Sequence, residues 1–215
     1  FVLKADIRHY FETVSHSKLL SILKCKIRDD KVIWLITIIL SNYTIKHNCW
    51  GWVGGIGMPL GNLTSQFFAN VYLNELDQFV KHKLKAKYYI RYVDDFVILD
   101  TSIDTLKQFK EEVNKFLIED LFLTLHPDKS KIVRLDDGVG FLGMRIFPYY
   151  KRIKKKNIRK FEKKFNLYRK EYKEGTIFRE KVLEYFEGWL AYNTHANTFK
   201  YRKHLVRTFN DFFPL

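Results

Sequence analysis

Apolar residues along the chain alternate between a helical period and short continuous runs, and these changes predict its elements. Phe1 to Ala5 forms a short apolar run that predicts a buried strand ending at Asp6. Further runs rich in β-branched and aromatic residues predict strands over 87–93, 96–99, 122–125, 131–135 and 139–147. Helical spacing predicts helices over 17–26, 32–40, 63–84, 103–117, 158–172, 178–189 and 201–213. The helix over 32–40 is apolar nearly all round, so we expect it to be buried.

This order of elements predicts an α+β fold, with helices packed on an antiparallel sheet. From Lys151 onward only the helical period remains, so the last part of the chain is predicted to be all-helical. Pro148 lies at the change of character. We therefore predict two domains, residues 1–148 and 149–215.

Composition narrows the class of protein. Of the 215 residues, 47% are hydrophobic and 17% aromatic, which provides a buried core and excludes disorder for most of the chain. Two cysteines, Cys25 and Cys49, are too few for a disulfide framework or a four-cysteine zinc site, which favours a reducing cytoplasm. No apolar stretch approaches the roughly 18 residues of a membrane span, so we expect no membrane partner.

The net charge of +14 is concentrated near the end of the chain. Residues 1–150 have a net charge of +3 and residues 151–215 a net charge of +11. The run from Lys151 to Lys173 alone carries 12 basic and 2 acidic residues. Such a density favours binding to a phosphate backbone, and a solvated helix face is the alternative interpretation.

Three acidic residues are the candidate chemistry. Asp94 and Asp95 separate two predicted strands, as the tip of a hairpin whose flanks look buried, and Asp6 ends the first strand. If these strands are neighbours, the three carboxylates converge at one end of the sheet, where they suit Mg²⁺. Two such ions roughly 3.5 to 4 Å apart can support an in-line phosphoryl displacement. A solvent-exposed Asp-Asp turn is the alternative.

Five segments together resemble the successive palm motifs of reverse transcriptases, in the right order. They are Phe1–Ser15, Met58–Gln66 after a glycine-rich stretch, Tyr92–Asp95, Leu123–Ser130 and Gly140–Gly143. The resemblance implies a polymerase palm followed by a basic helical thumb. It implies an RNA-directed DNA polymerase that adds deoxynucleoside triphosphates to a DNA or RNA primer on an RNA template. A prokaryotic cytoplasm and an accessory protein belong to the same expectation.

The resemblance also implies roles for individual residues. Asp6, Asp94, Asp95 and the carbonyl of Ile7 would hold two Mg²⁺ ions, with Mn²⁺ as the alternative ion. Lys129 would act catalytically near the triphosphate, with Lys131 as the alternative. Phe11 would exclude a ribose 2′-hydroxyl. The remaining substrate-binding residues would be Leu60, Gly61, Gln66 and Tyr92, and the primer grip would be Phe141, Leu142 and Gly143.

One departure bears on the subfamily. Group II intron and retron enzymes usually have Pro-Gln-Gly followed by Ser-Pro, where this chain has Pro59-Leu60-Gly61 and Ser65-Gln66. This pattern is similar to reverse transcriptases of diversity-generating retroelements, whose copying is error-prone opposite adenines. Group II intron or retron-type enzymes are the first alternative, and a non-catalytic nucleic-acid-binding scaffold is the second.

The start of the chain adds one expectation. It begins at Phe1, without methionine and already in strand-like sequence. We therefore expect a fragment that lacks the nucleotide-gripping fingers and polymerises poorly on its own.

Overall fold

A computed structural model describes residues 1–42, 55–59 and 61–214, and these form two compact units, Phe1–Val133 and Arg134–Leu215. The sheet of the first unit is antiparallel, with strand order β2-β3-β1-β4. Its strands are β1 (Val2–Asp6), β2 (Tyr88–Tyr92), β3 (Asp95–Leu99) and β4 (Lys131–Val133). Its helices are α1 (Tyr10–Thr13), α2 (His16–Lys24), α3 (Asp30–Ser41), α4 (Leu63–Gln78) and α5 (Ile103–Leu121), and a π-helical turn (Phe79–Lys83) extends α4.

Side-chain caps explain where the longer helices of this unit begin. The side chains of Ser15, Asp29, Asn62 and Ser102 accept hydrogen bonds from backbone N–H groups in the first turns of α2, α3, α4 and α5. Each cap satisfies a donor that the helix itself leaves unpaired. Serine, aspartate and asparagine thus mark these starts in the sequence.

One face of the sheet packs against the helices and forms the main core. Leu3 and Ala5 of β1 and Phe96 and Ile98 of β3 point to this face, and all four are fully buried. They belong to one apolar cluster with residues of α2, α3, α4 and α5. The predicted α+β fold with helices on an antiparallel sheet is confirmed.

Three details of the first unit differ from the prediction. Helix α3 buries only Ile33, Ile36 and Leu40, and it exposes apolar side chains that include Trp34, 64% exposed. Residues 122–125 form a single bridge from Leu125 to Ile7 rather than a strand. Strand β2 lies at the sheet edge and alternates between exposed and half-buried residues, so this flank of the hairpin is not fully buried. Burial of an apolar segment depends on neighbours that its own sequence does not specify.

The second unit combines a small sheet with three helices. Antiparallel strands β5 (Val139–Phe141), β6 (Met144–Ile146) and β7 (Lys151–Ile153) follow a 3₁₀ turn at Leu135–Asp137. Helices α6 (Lys155–Lys173), α7 (Arg179–Asn193) and α8 (Phe199–Phe212) follow and share a largely aromatic core. That core is formed by Phe161, Phe165, Val182, Phe186, Leu205, Phe209 and Phe213.

Strand β7 and the position of the boundary between the compact units differ from the sequence-based division. Lys151–Ile153 pairs with β6, so the part of the chain after Lys151 is not all-helical. The compact units divide between Val133 and Arg134, ahead of the predicted boundary at 148 and 149, because β5 and β6 belong to the sheet that β7 completes. No helix within the described ranges is long and apolar enough to cross a membrane.

Candidate active site

Two carboxylates face each other at one end of the first sheet. Asp6, the last residue of β1, lies directly opposite Asp95, the first residue of β3. Tyr92 of β2 lies opposite Asp95 on the other side. Residues directly opposite each other in an antiparallel pair project from the same face. Tyr92, Asp95 and Asp6 therefore form one row, on the face opposite the one that packs against the helices.

The third carboxylate, Asp94, lies in the turn that joins β2 and β3. Because Tyr92 pairs with Asp95, the two turn residues are Val93 and Asp94, one position earlier than the sequence suggests. Val93 has a left-handed φ of 55°, as tight hairpin turns require. The backbone N–H of Ile7 donates to the carbonyl of Asp94 over 3.2 Å, which fixes the turn against the end of β1.

Two lysines lie against these carboxylates. The Nζ of Lys4 is 3.3 Å from Asp95 Oδ1, and the Nζ of Lys129 is 3.1 Å from Asp6 Oδ1. Lys4 and Asp95 are each less than a quarter exposed, whereas Lys129 is 55% exposed. Lys131, the alternative to Lys129, lies opposite Lys4 on β4. The structure thus brings Lys129 to the carboxylates.

Burial and mutual repulsion perturb two of the carboxyl groups. Burial raises the pKa of Asp94 and of Asp95 above the ordinary value, and the charge of Asp6 raises both further. Lys4 opposes the shift at both residues. A group whose charged form is disfavoured in this way gains when a cation lies beside it.

The segment after α5 fixes the other side of Asp6. The N–H of His126 donates to the carbonyl of Asp6 over 2.7 Å, and the N–H of Arg8 donates to the carbonyl of Thr124 over 2.9 Å. The hydroxyl of Ser130 lies 3.4 Å from both the N–H and the carbonyl oxygen of Asp6. These bonds hold Asp6 and Ile7 between the hairpin turn and residues 124–130.

The predicted nucleotide-side residues are only partly gathered. The carbonyl of Phe11 accepts a hydrogen bond from the N–H of Met58, and so two of the motifs are adjacent. Gly61, with a φ of 90°, and Gln66, near the start of α4, are both exposed. Leu60 lies outside the described residues, as does most of the glycine-rich stretch.

The predicted primer grip forms a tight turn in the second unit. Leu142 and Gly143 join β5 to β6 with left-handed φ values of 46° and 79°, and Phe141 is buried. The carbonyl of Gly143 accepts hydrogen bonds from Asn157 Nδ2 and from the Tyr192 hydroxyl, both at 3.1 Å. Two helices thereby fix the turn and leave Leu142 49% exposed.

Arginines and aromatic rings cover the other end of the same small sheet. Arg145 and Arg152 lie directly opposite each other on β6 and β7. Both guanidinium groups lie over the Phe147 ring, at 5.7 and 5.5 Å from its centre, and that of Arg152 also lies over Tyr150. Like charges opposite each other destabilise a sheet, although Arg145 also donates to the carbonyl of Asp137.

Sequence reasoning missed residues that hold the carboxylate row of the first unit and, separately, the tight turn of the second unit. Lys4 was detectable, since residues two apart on a strand share a face and Lys4 precedes Asp6 by two. Asn157 and Tyr192 were not, because 35 positions separate them and only the packing of α6 and α7 brings them together.

An antiparallel sheet with carboxylates at one end and helices on its face agrees with the palm fold that the resemblance to reverse transcriptases implies. Comparison with known families agrees. Residues 1–146 match the family model described as "Reverse transcriptase (RNA-dependent DNA polymerase)". The chain therefore belongs to the reverse transcriptase family.

Individual relatives are more distant. The chain is 24% identical to the "Putative COX1/OXI3 intron 2 protein" of Saccharomyces cerevisiae, over 70% of this chain and 24% of the relative. It is 26% identical to "Protein YkfC" of Escherichia coli, over 68% of this chain and 46% of that protein. It is 24% identical to the "Group II intron-encoded protein LtrA" of Lactococcus lactis subsp. cremoris, over 66% of this chain and 34% of that protein. The chain thus spans less than half the length of these curated relatives.

The family is generally dependent on divalent metal ions, so the fit of the site to a cation matters. Three carboxylates at one sheet end supply the hard oxygen donors that Mg²⁺ prefers, and the raised pKa values of Asp94 and Asp95 are a strain that a cation would relieve. Within residues 1–42, 55–59 and 61–214, however, no three acidic, histidine or cysteine side chains are gathered closely enough to hold a metal ion. The carboxylates therefore supply the kind of donor atom that a magnesium ion needs, but Asp95 and Asp6 form ion pairs with Lys4 and Lys129.

Proposed function

We propose that this chain is the catalytic part of an RNA-directed DNA polymerase, which adds deoxynucleotides to a primer 3′-hydroxyl on an RNA template. The observation that carries the proposal is the row of Asp6 and Asp95 beside the Asp94 turn. It lies within the residues that match the reverse transcriptase family. An unused set of half-buried, mutually repelling carboxylates would only lower stability, so their presence argues against a non-catalytic scaffold.

In this proposal the carboxylates of Asp6, Asp94 and Asp95, with the carbonyl of Ile7, hold Mg²⁺. The bound ions would supply charge stabilisation for an in-line attack on the α-phosphate. The ammonium of Lys129, already at Asp6, neutralises charge on the departing pyrophosphate or protonates it. The Phe11 ring crowds a ribose 2′-hydroxyl, and Gly61, Gln66 and Tyr92 line the nucleotide side.

The second unit supplies the nucleic-acid contacts. Residues 134–215 carry 20 basic and 9 acidic side chains, a net charge of +11, while residues 1–133 carry a net charge of +3. Exposed Leu142 and the paired Arg145 and Arg152 belong to one small sheet. We propose that this sheet and the basic helix α6 hold the primer and the template through their phosphates.

Two subfamilies remain candidates, each with its own observation. Leu60 and the Ser65-Gln66 pair favour a diversity-generating retroelement, because an apolar side chain at position 60 removes a hydrogen-bonding group from base selection. The relatives named for introns favour a group II intron enzyme. Sequencing the DNA copies decides: substitutions concentrated opposite template adenines support the retroelement, and accurate copies support the intron enzyme. For both we propose a prokaryotic cytoplasm.

Primer extension by the natural protein at its full length, with an RNA template and Mg²⁺, tests the function. We expect Asp94→Ala and Asp95→Ala each to lower the rate by at least about 100-fold. Asp104→Ala is the matched control, because Asp104 is 89% exposed in an ion pair on α5, and it should keep the wild-type rate. Undiminished synthesis by either active-site variant contradicts the proposal. Salt-dependent RNA binding without any synthesis by the wild type would favour the scaffold.

A further inference from the structure

We propose that Arg91 is a positioning residue that fixes the turn carrying Asp94 and connects this turn to the nucleotide-side helix α4. The inference rests on the function proposed above. It concerns residues that neither the motifs nor the carboxylate row identify, namely Arg91, Asp77, Asn70 and Tyr89.

Arg91 and Asp77 form a bidentate ion pair between β2 and the end of α4. Arg91 Nε lies 2.7 Å from Asp77 Oδ1, and Nη2 lies 2.5 Å from Oδ2. The Arg91 side chain is only 9% exposed and that of Asp77 is 28% exposed. Two parallel charge-assisted bonds fix both the position and the plane of the guanidinium group. The ion pair therefore holds the guanidinium in one orientation, anchored on α4.

The third nitrogen of this guanidinium reaches the active-site turn. Arg91 Nη1 donates to the carbonyl of Val93 over 3.0 Å. Val93 is the turn residue with a φ of 55°, an unfavourable value for a β-branched side chain. A residue in such a conformation persists only where its surroundings hold it. The bond from Arg91 supplies that support at the residue directly before Asp94.

The same nitrogen also connects the turn with the nucleotide side. Arg91 Nη1 lies 3.3 Å from Asn70 Oδ1, and Asn70 Nδ2 donates to the carbonyl of Gln66 over 3.1 Å. A hydrogen-bonded path thus runs from Gln66, through Asn70 and Arg91, to Val93. Asn70 and Asp77, which both accept hydrogen bonds from Arg91, lie on α4. A displacement of the first turns of α4 would therefore shift Arg91 and, with it, the turn that carries Asp94.

The chemistry requires arginine at this position. Nε and Nη2 of the guanidinium both donate to Asp77, and Nη1 donates to Asn70 and to Val93. A lysine ammonium is a single point on a flexible stem and cannot hold this planar arrangement. Tyr89 also contacts Asp77, since its hydroxyl donates to Asp77 Oδ1 over 2.7 Å, but the bonds from Arg91 to Asp77 and Val93 do not involve Tyr89.

The test compares Arg91→Lys and Asp77→Asn with Tyr89→Phe in the full-length natural protein. Tyr89→Phe is the matched control, because it removes one bond to Asp77 and leaves the bond to Val93 in place. The readouts are kcat and KM for the deoxynucleotide, and Mn²⁺ affinity from the electron paramagnetic resonance signal of free Mn²⁺. We expect Arg91→Lys to lower kcat about 10- to 100-fold and to weaken Mn²⁺ binding several-fold. Asp77→Asn should act in the same direction, and Tyr89→Phe should change neither readout by more than about twofold.

A double-mutant cycle separates positioning from general stability. If Arg91 acts through the turn, Arg91→Lys should weaken Mn²⁺ binding in the wild type and have no further effect beside Asp94→Ala. Wild-type kcat and Mn²⁺ affinity in Arg91→Lys, even with a lower melting temperature, would overturn the inference. An equal loss of Mn²⁺ affinity on Arg91→Lys in the wild type and in the Asp94→Ala variant would overturn it as well. If Arg91→Lys does not fold, Asp77→Asn carries the same cycle. A wild-type protein that makes no DNA contradicts the proposed function, while the Mn²⁺ cycle still decides the role of Arg91.

Discussion

Gly143→Ala is the substitution for which the structure gives the most complete expectation. A Cβ atom at Gly143 would lie 2.6 Å from the Tyr192 hydroxyl and 3.3 Å from Asn157 Nδ2. The φ of 79° is also unfavourable for alanine, at a cost of roughly 1 to 2 kcal/mol. To avoid the clash, the hydroxyl must leave the carbonyl of Gly143, and each lost hydrogen bond costs about 0.5 to 1.5 kcal/mol. We therefore expect a destabilisation of about 1.5 to 3.5 kcal/mol.

Gly175→Ala isolates the backbone part of this cost. Gly175 has a φ of 71°, and apart from its chain neighbours no heavy atom of the described residues lies within 4 Å of the position of its Cβ. Urea unfolding followed by tryptophan fluorescence should give a loss of about 1 to 2 kcal/mol for this control. The difference between the two variants measures the clash with Tyr192.

A second substitution tests the assigned contact directly. Tyr192→Phe removes the hydroxyl that the alanine methyl group at position 143 would meet. The double variant that combines Gly143→Ala with Tyr192→Phe should therefore be no less stable than Gly143→Ala alone. Equal destabilisation by Gly143→Ala and Gly175→Ala would refute the clash. Strict additivity of Gly143→Ala and Tyr192→Phe would refute the contact between Tyr192 and the turn.

Three further predictions address pH, charge and nucleic-acid binding. Burial lowers the pKa of His16, although the Gly57 carbonyl, 2.6 Å from Nε2, opposes the shift. The folded state therefore disfavours the protonated imidazole. The free energy of unfolding should fall as the pH drops below about 6.5. His16→Gln should flatten this fall in a series of thermal melts, and an unchanged pH profile would contradict it. Burial and the charge of Asp6 raise the pKa of Asp94 above its usual range, so the folded state disfavours the charged carboxyl at pH 7. Asp94→Asn should therefore be more stable than the wild type at pH 7, and this advantage should shrink as the pH falls and the wild-type carboxyl is protonated. A less stable variant at pH 7 would contradict this prediction. Arg152→Ala should weaken RNA binding and reduce the salt slope of the binding constant by about one in fluorescence anisotropy titrations, and an unchanged slope would show that Arg152 contacts no phosphate.

The sequence predicts elements well where the local signal is complete. Strand β1 and helix α5 lie where their apolar periods place them, and Ser102 marks the start of α5 through its cap. Strand β7 was missed because Lys151–Ile153 has no strand pattern of its own, and only its pairing with β6 makes it a strand. The exposed side of α3 was wrongly expected to be buried, since an apolar composition does not reveal whether a neighbour covers it.

The candidate site divides in the same way. Asp6, Asp94 and Asp95 were predicted as a group, because strand ends and a hairpin turn are visible in the sequence. The structure places Asp6 opposite Asp95 and Asp94 in the adjoining turn, but no three such side chains in the described residues are close enough to hold a metal ion. Of the groups around them, Lys129 was named only through the family resemblance, and Lys4, Asp77 and Arg91 were not named. The ion pair of Asp77 with Arg91 joins residues 14 positions apart, and that of Lys129 with Asp6 joins residues 123 positions apart. Such contacts depend on strand order and helix packing, which no local pattern encodes.

The charge at the carboxylate end of the sheet has a consequence for binding. Asp6, Asp94 and Asp95 together carry three negative charges, and a polyanionic substrate would meet strong repulsion there. Lys4 and Lys129 reduce the net charge of this group from three negative charges to one. The two lysines differ in exposure, since the Lys4 side chain is 23% exposed and that of Lys129 is 55% exposed. The more exposed Lys129 loses less by leaving its carboxylate, because solvent screens that ion pair more strongly. Under the proposed function, Lys129 is therefore the lysine that would turn toward a triphosphate, while Lys4 would stay with Asp95.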